Sequence, residues 1–165
     1  MNNNPVDKAV AFQIKTYSRA LAFFLSIVAL SIGGGIYFLY CSKTLLMFRW
    51  ADALNVTGHI ENLRQSMSIY NPSDFVKYNL PDGLWSISYF LIIFSIWGKV
   101  GGENIVWFCL MPIIALILEF MQLTAIIPGH FDWWDVVCYS LPLIILITIT
   151  IVKICTRKKS YHSLQ

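Results

Sequence analysis

The residues of this chain whose types and spacing could do chemistry lie in Glu119-Phe-Met-Gln122 and, just beyond, in Pro128-Gly129-His130-Phe131-Asp132-Trp-Trp-Asp135. A spacing of three puts Glu119 and Gln122 on one face of a helix, and likewise Asp132 and Asp135. Asp82, after Leu80-Pro81, opens the preceding apolar run. Ionisable groups at membrane depth are costly and face a protein interior, a partner or a water-filled pocket. Asp82, Glu119, Gln122, His130, Asp132 and Asp135 are therefore the candidate ligand-binding residues. A metal site drawn from Asp82, Glu119, Asp135 and His130 would be oxygen-rich and suit a hard divalent cation better than structural zinc. Such an ion could polarise a phosphoryl or carbonyl group, with His130 as proton carrier. No other cofactor is evident. Each residue also has a purely structural reading. Asp132 is a natural N-cap, and Asp135 a first-turn acid. Asp82-Gly83 after proline starts a helix, and His130 suits a solvated turn. An ionised Glu119 needs Arg, Lys, a metal or several donors; Arg49 and Arg64 are the arginines within reach of that role.

The elements that must position these residues follow from composition. Of 165 residues 57% are hydrophobic and 13% charged, against about 25% charged in soluble domains. Mean hydropathy is +0.62. The chain reads as one all-α membrane domain, a bundle of about four transmembrane helices with the lipid bilayer as its partner. A span needs about 20 apolar residues, which places spans near 20–40, 82–98, 104–127 and 133–154. Pro112 and Pro142 are expected to kink the last two. Gly33-Gly34-Gly35 in the first either admits a neighbouring helix closely or loosens the helix. Counting back from Ile127 at 1.5 Å per residue sets Glu119 about 12 Å below the outer end of its helix.

Segment 41–81 is too long for an unstructured link. Leu45-Leu46-Met47-Phe48 leading to Trp50, Ala53 and Leu54, then Ile60, Leu63, Met67 and Ile69, predict two short amphipathic helices that cap the bundle. Asn71-Pro72-Ser73-Asp74 ends the second. Lys8, Lys15 and Arg19 precede the first span, Lys99 lies between the second and third, and Lys153, Arg157, Lys158 and Lys159 close the chain. The positive-inside rule then puts both tails (1–19 and 155–165) in the cytoplasm, with the cap and the Pro-Gly-His link outside. The net charge of +3 comes from these flanks, so no nucleic-acid-binding face is expected. Cys41, Cys109, Cys138 and Cys155 form no Cys-x-x-Cys pair and read as inert thiols. Nucleophile elbows, P-loops, dinucleotide fingerprints and His-Glu-x-x-His are absent.

Glu119-x-x-Gln122, Pro128-Gly129, Phe131-Asp132 and Asp135, with an apolar helix on each side, resemble the VanZ-like family of small bacterial membrane proteins. Asp82 resembles the acid near the start of that family's preceding span. The resemblance covers about residues 80–150. His130 stands where the family has Arg, Trp85 stands at the spacing of its His, and Tyr139 and Pro142 fall where Asn and Gly are usual. The resemblance implies a multi-pass protein of the bacterial cytoplasmic membrane; it supplies a cellular setting rather than a reaction.

Three functions compete on these residues. The first is an envelope protein whose outward acidic pocket binds a lipid, cell-wall intermediate or amphiphile beneath the cap. The second is a metal-assisted intramembrane hydrolase or transferase acting on a lipid-linked phosphate. The third is a small transporter around the two proline-bearing helices; four spans are few for that task, so it requires a homo-oligomer. A structural assembly protein without a chemical site is the plain alternative to all three.

Overall fold

The computed structural model describes residues 5–43 and 46–162, with side chains for 12–43, 46–152 and 155. Leu45 and the flanking charges Lys8, Lys153, Arg157, Lys158 and Lys159 fall outside the described side chains. Six α-helices follow in order: α1 (Pro5–Tyr40), α2 (Leu46–Ala53), α3 (Thr57–Met67), α4 (Leu80–Trp97), α5 (Ile105–Leu123) and α6 (Trp133–His162). A π-turn, Phe75–Asn79, leads into α4, and a 3₁₀ turn, Gly102–Asn104, leads into α5. Four of these stretches are long and apolar enough to cross a membrane: Phe12–Tyr40, Phe75–Trp97, Gly102–Leu123 and Trp133–Val152. The protein is an all-α, multi-pass membrane protein by this architecture.

Both terminal helices run past the expected spans. No breaker separates Pro5 from Ala20, and proline is tolerated in a first turn, so the stretch expected as an N-terminal tail is helical from Pro5. The third span is shorter than expected. Helix α5 stops at Leu123, where Ala125 adopts a left-handed φ of 55°. The amides of Ala125 and Ile126 return to the carbonyls of Gln122 (3.0 Å) and Met121 (3.0 Å). That is the Schellman pattern, which satisfies carbonyls the last turn would otherwise leave open. Glu119 consequently sits about 6 Å from its helix end at 1.5 Å per residue, half the depth expected. Pro112 and Pro142 lie inside continuous helices.

Helix α4 is the centre of the bundle, with α1 on one side and α5 and α6 on the other. The α1 face that meets it is a stripe of small buried residues, Ala22, Ser26, Ala29 and Gly33. Small residues let helix backbones approach, which matters where lipid removes the hydrophobic drive for association. The Ser88 hydroxyl donates to the Ser26 carbonyl at 2.8 Å within this contact. At the end near Lys99, Arg19 donates through Nε to the Ser95 carbonyl (2.7 Å) and through Nη2 to the Ile96 carbonyl (2.9 Å). A cation there complements the carboxyl end of the helix dipole. Phe90, Val100, Phe108 and Leu146 form the core at that end.

At the other end the cap forms as expected. Helix α2 buries Phe48 and Ala51, and Asn55 ends it in a left-handed turn (φ 58°). Arg64 of α3 donates from Nη1 to the carbonyls of Phe38 (2.7 Å) and Cys41 (3.0 Å), closing the carboxyl end of α1. Its guanidinium also lies over the Phe48 ring, 5.5 Å from the centroid. The Phe48 ring also packs edge-on against Phe38 of α1, 5.3 Å between centroids, so the cap is tied to the bundle by a charge and an aromatic contact.

Candidate functional site

The site begins at Pro81. Proline has no N–H, so the carbonyl one turn back, on Lys77, loses its usual partner. The Cys41 thiol donates to that carbonyl instead (3.4 Å). Lys77 lies within the π-turn Phe75–Asn79. Such turns occur frequently at functional sites. Here the π-turn ends on Asn79, which is only 3% exposed. Its Nδ2 donates to Asp132 Oδ2 (2.9 Å) and to Asp135 Oδ1 (2.7 Å). One amide therefore joins the start of α4 to the start of α6.

Glu119, also 3% exposed, meets them from α5. Its Oε1 accepts the backbone N–H of Asp132 at 2.7 Å. Asp132 in turn caps α6: its Oδ1 accepts the Trp134 N–H at 2.8 Å, and its carbonyl receives the Asp135 N–H. The carboxylate in the apolar helix thus anchors the loop that follows it. The arginines expected to pair with Glu119 do not supply this bond, because Arg64 is engaged at the end of α1. Among the described residues the ion pairs are Lys43–Glu61 and Lys77–Asp74, and neither includes a candidate site residue.

Asp82 completes the cluster from the first turn of α4. Tyr37 of α1 donates its hydroxyl to Asp82 Oδ1 at 3.0 Å, and the Tyr139 hydroxyl of α6 is a second partner. Asp82, Glu119, Asp132 and Asp135 are close enough for their charges to interact. Gly83 admits α6 here, since a Cβ at that position would stand 3.2 Å from Cys138 Sγ. The other two candidates stand aside from the carboxylates. Gln122 packs against Gly129, where a Cβ would collide with its side-chain amide. His130 is exposed on the link, near enough to Asp132 for its charge to be felt. Among the described residues, no three His, Cys, Asp or Glu side chains are disposed to hold a metal ion.

The cluster adjoins an apolar groove of about 320 Å³ lined by Tyr37, Leu46, Met47, Trp50 and Trp85. Tyr37 belongs to both: its ring lines the groove and packs on Trp85 at 5.0 Å, while its hydroxyl holds Asp82. The buried Trp85 N–H has no acceptor among the described residues. Asn79, Tyr37, Tyr139 and Trp85 are not among the site residues that the sequence singles out. A polar residue immediately ahead of Leu80-Pro81-Asp82 was the available signal for Asn79. Tyr37 near a span end reads as an ordinary interfacial aromatic, and only the packing of α1 on α4 distinguishes it.

Asp132 lies outside the spans, and the hydrogen bonds from Asn79 and then from the Trp134 backbone hold its carboxyl below the usual carboxylate range. A depressed folded-state value means that the charge stabilises the fold above the unfolded value, about 3.9. That contribution disappears as pH falls through the lower, folded value. Melting curves of wild type and Asp132→Asn in one detergent are expected to differ by a constant amount from neutrality to about pH 5, with the gap closing below. A gap that persists undiminished at pH 3 would contradict the assignment.

Comparison with known proteins finds no matching family model, no similar curated protein and no similar solved structure.

Proposed function

We propose that this multi-pass protein binds an amphiphile, with the apolar portion in the Tyr37–Trp85 groove and the polar head against the carboxylate cluster. The observation that carries the reading is Tyr37, whose ring and hydroxyl join an apolar groove to Asp82. Binding sites for small molecules pair such apolar walls with a few placed polar groups. The carboxylates are held by neutral donors from Asn79, Tyr37 and Tyr139 and by backbone amides. A head group that is cationic, or rich in hydrogen-bond donors, complements that set. The distribution of Lys and Arg supports an outward-facing groove with both termini cytoplasmic. The VanZ-like resemblance supports a bacterial cytoplasmic membrane as its setting. Glu119 and Asp132 serve mainly to hold the frame, leaving Asp82, which Tyr37 joins to the groove, as the acid for the head group.

The test is titration of dodecylammonium into protein held in dodecyl maltoside, followed by tryptophan emission. Saturable binding by the wild type and at least tenfold weaker binding by a folded Asp82→Asn variant are expected. Equal affinities for the two proteins, or no saturable binding at all, would remove the proposal.

A further inference from the structure

A second concavity lies at the same end of the bundle, on the cap rather than in the acidic cluster. Its volume is about 550 Å³, and Tyr40, Arg64, Gln65, Tyr70 and Lys77 are among the residues that line it. Three separate elements supply them: the end of α1, helix α3, and the segment leading through the π-turn to α4. The two cations are held in place. Arg64 lines the cavity and is fixed by Nη1 on the Phe38 and Cys41 carbonyls; among the described residues its Nε and Nη2 donate to no other group. Lys77 is anchored by Nζ on Asn71 Oδ1 at 2.7 Å, and its side chain is only 17% exposed.

The acids nearby do not cancel this pair. Glu61, which also lines the cavity, is engaged by Lys43. Asp74 lies 3.7 Å from Lys77, but its side chain is 89% exposed, where water and salt weaken an ion pair. A planar guanidinium and an ammonium lining one cavity from different elements suit phosphate recognition. Tyrosines and a glutamine on the walls suit a hydroxylated group attached to it.

We infer that this cavity binds a phosphate group at Arg64 and Lys77, carried by a lipid head group or by a free phosphate. The site is separate from the amphiphile groove and does not rest on that reading. It gives the cap a role of its own: holding an anion at the membrane surface while the acidic cluster below takes groups of opposite character.

Titration calorimetry on the full chain in a nonionic detergent tests this, with inorganic phosphate in one arm and a short-chain phosphatidylglycerol in the other. Binding in at least one arm is expected, and it should weaken as salt is raised. Binding of inorganic phosphate identifies the free anion as sufficient, whereas binding of the lipid alone identifies a head-group site. Lys77→Gln is expected to reduce affinity at least tenfold. Gln65→Glu brings a negative charge to the wall without removing a cation or a side-chain hydrogen bond, and should act in the same direction if Lys77→Gln fails to fold. Absence of binding in both arms, or wild-type affinity in a folded Lys77→Gln or Gln65→Glu protein, would overturn the inference.

Discussion

Asn79→Ala is expected to lower the unfolding free energy of the purified protein by about 3 kcal/mol or more, since a hydrogen bond to a charged group is worth about 1.5–3 kcal/mol. Asn79 makes two such bonds, to Asp132 and Asp135, from a position only 3% exposed. Alanine has no donor to replace either, so both carboxylates keep their mutual repulsion and lose the amide between them. Asn79→Asp should be worse still at neutral pH, because it adds a third carboxylate to the pair. Denaturant titration in mixed micelles reads the difference. An Asn79→Ala protein as stable as wild type would show that α4 and α6 do not depend on this bridge.

The second large effect concerns two adjacent glycines that look alike in sequence. A Cβ on Gly33 would stand 2.6 Å from Trp85 Nε1, 2.7 Å from its Cδ1 and 3.2 Å from the Pro81 carbonyl. The Trp85 ring is packed against Tyr37, and the Pro81 carbonyl is backbone at the start of α4. Neither can withdraw without disturbing the contact between the helices. Gly33→Ala is therefore expected to destabilise by about 1–3 kcal/mol, as overpacking of a tight core does. A Cβ on Gly34 would meet no neighbouring group within 4 Å among the described residues. There alanine should be neutral or stabilise by up to about 1 kcal/mol, its advantage over glycine inside a helix. Equal responses of Gly33→Ala and Gly34→Ala in the same unfolding assay would mean that the close approach of α1 and α4 is not what holds them.

The groove inherits its geometry from that approach. Gly33 seats Trp85, Trp85 packs Tyr37, and Tyr37 reaches Asp82. A defect at Gly33 should consequently disturb the amphiphile groove as well as the fold, whereas the phosphate cavity depends on Arg64 and the cap.

Much of this architecture was legible in the chain. Spans are encoded by local composition, because a backbone in lipid must satisfy its hydrogen bonds within one segment. The cap helices were legible from apolar spacing, and the Asp132 cap from a polar residue ahead of an apolar run. Helix ends were less so. Ala125 closes α5 in a conformation that favours glycine, and the apolar Ile126-Ile127 pair masked the stop.

Sequence by itself determined that this is an all-α membrane protein whose carboxylates gather toward one end of the bundle, because hydropathy and helical period act over neighbouring residues. Only the tertiary structure decided which groups those carboxylates meet. Glu119 took the Asp132 amide rather than an arginine, Asn79 took two acids, and Tyr37 took Asp82. Such pairings depend on how α1, α4, α5 and α6 rotate against one another. That rotation is set by small residues and backbone hydrogen bonds far apart along the chain.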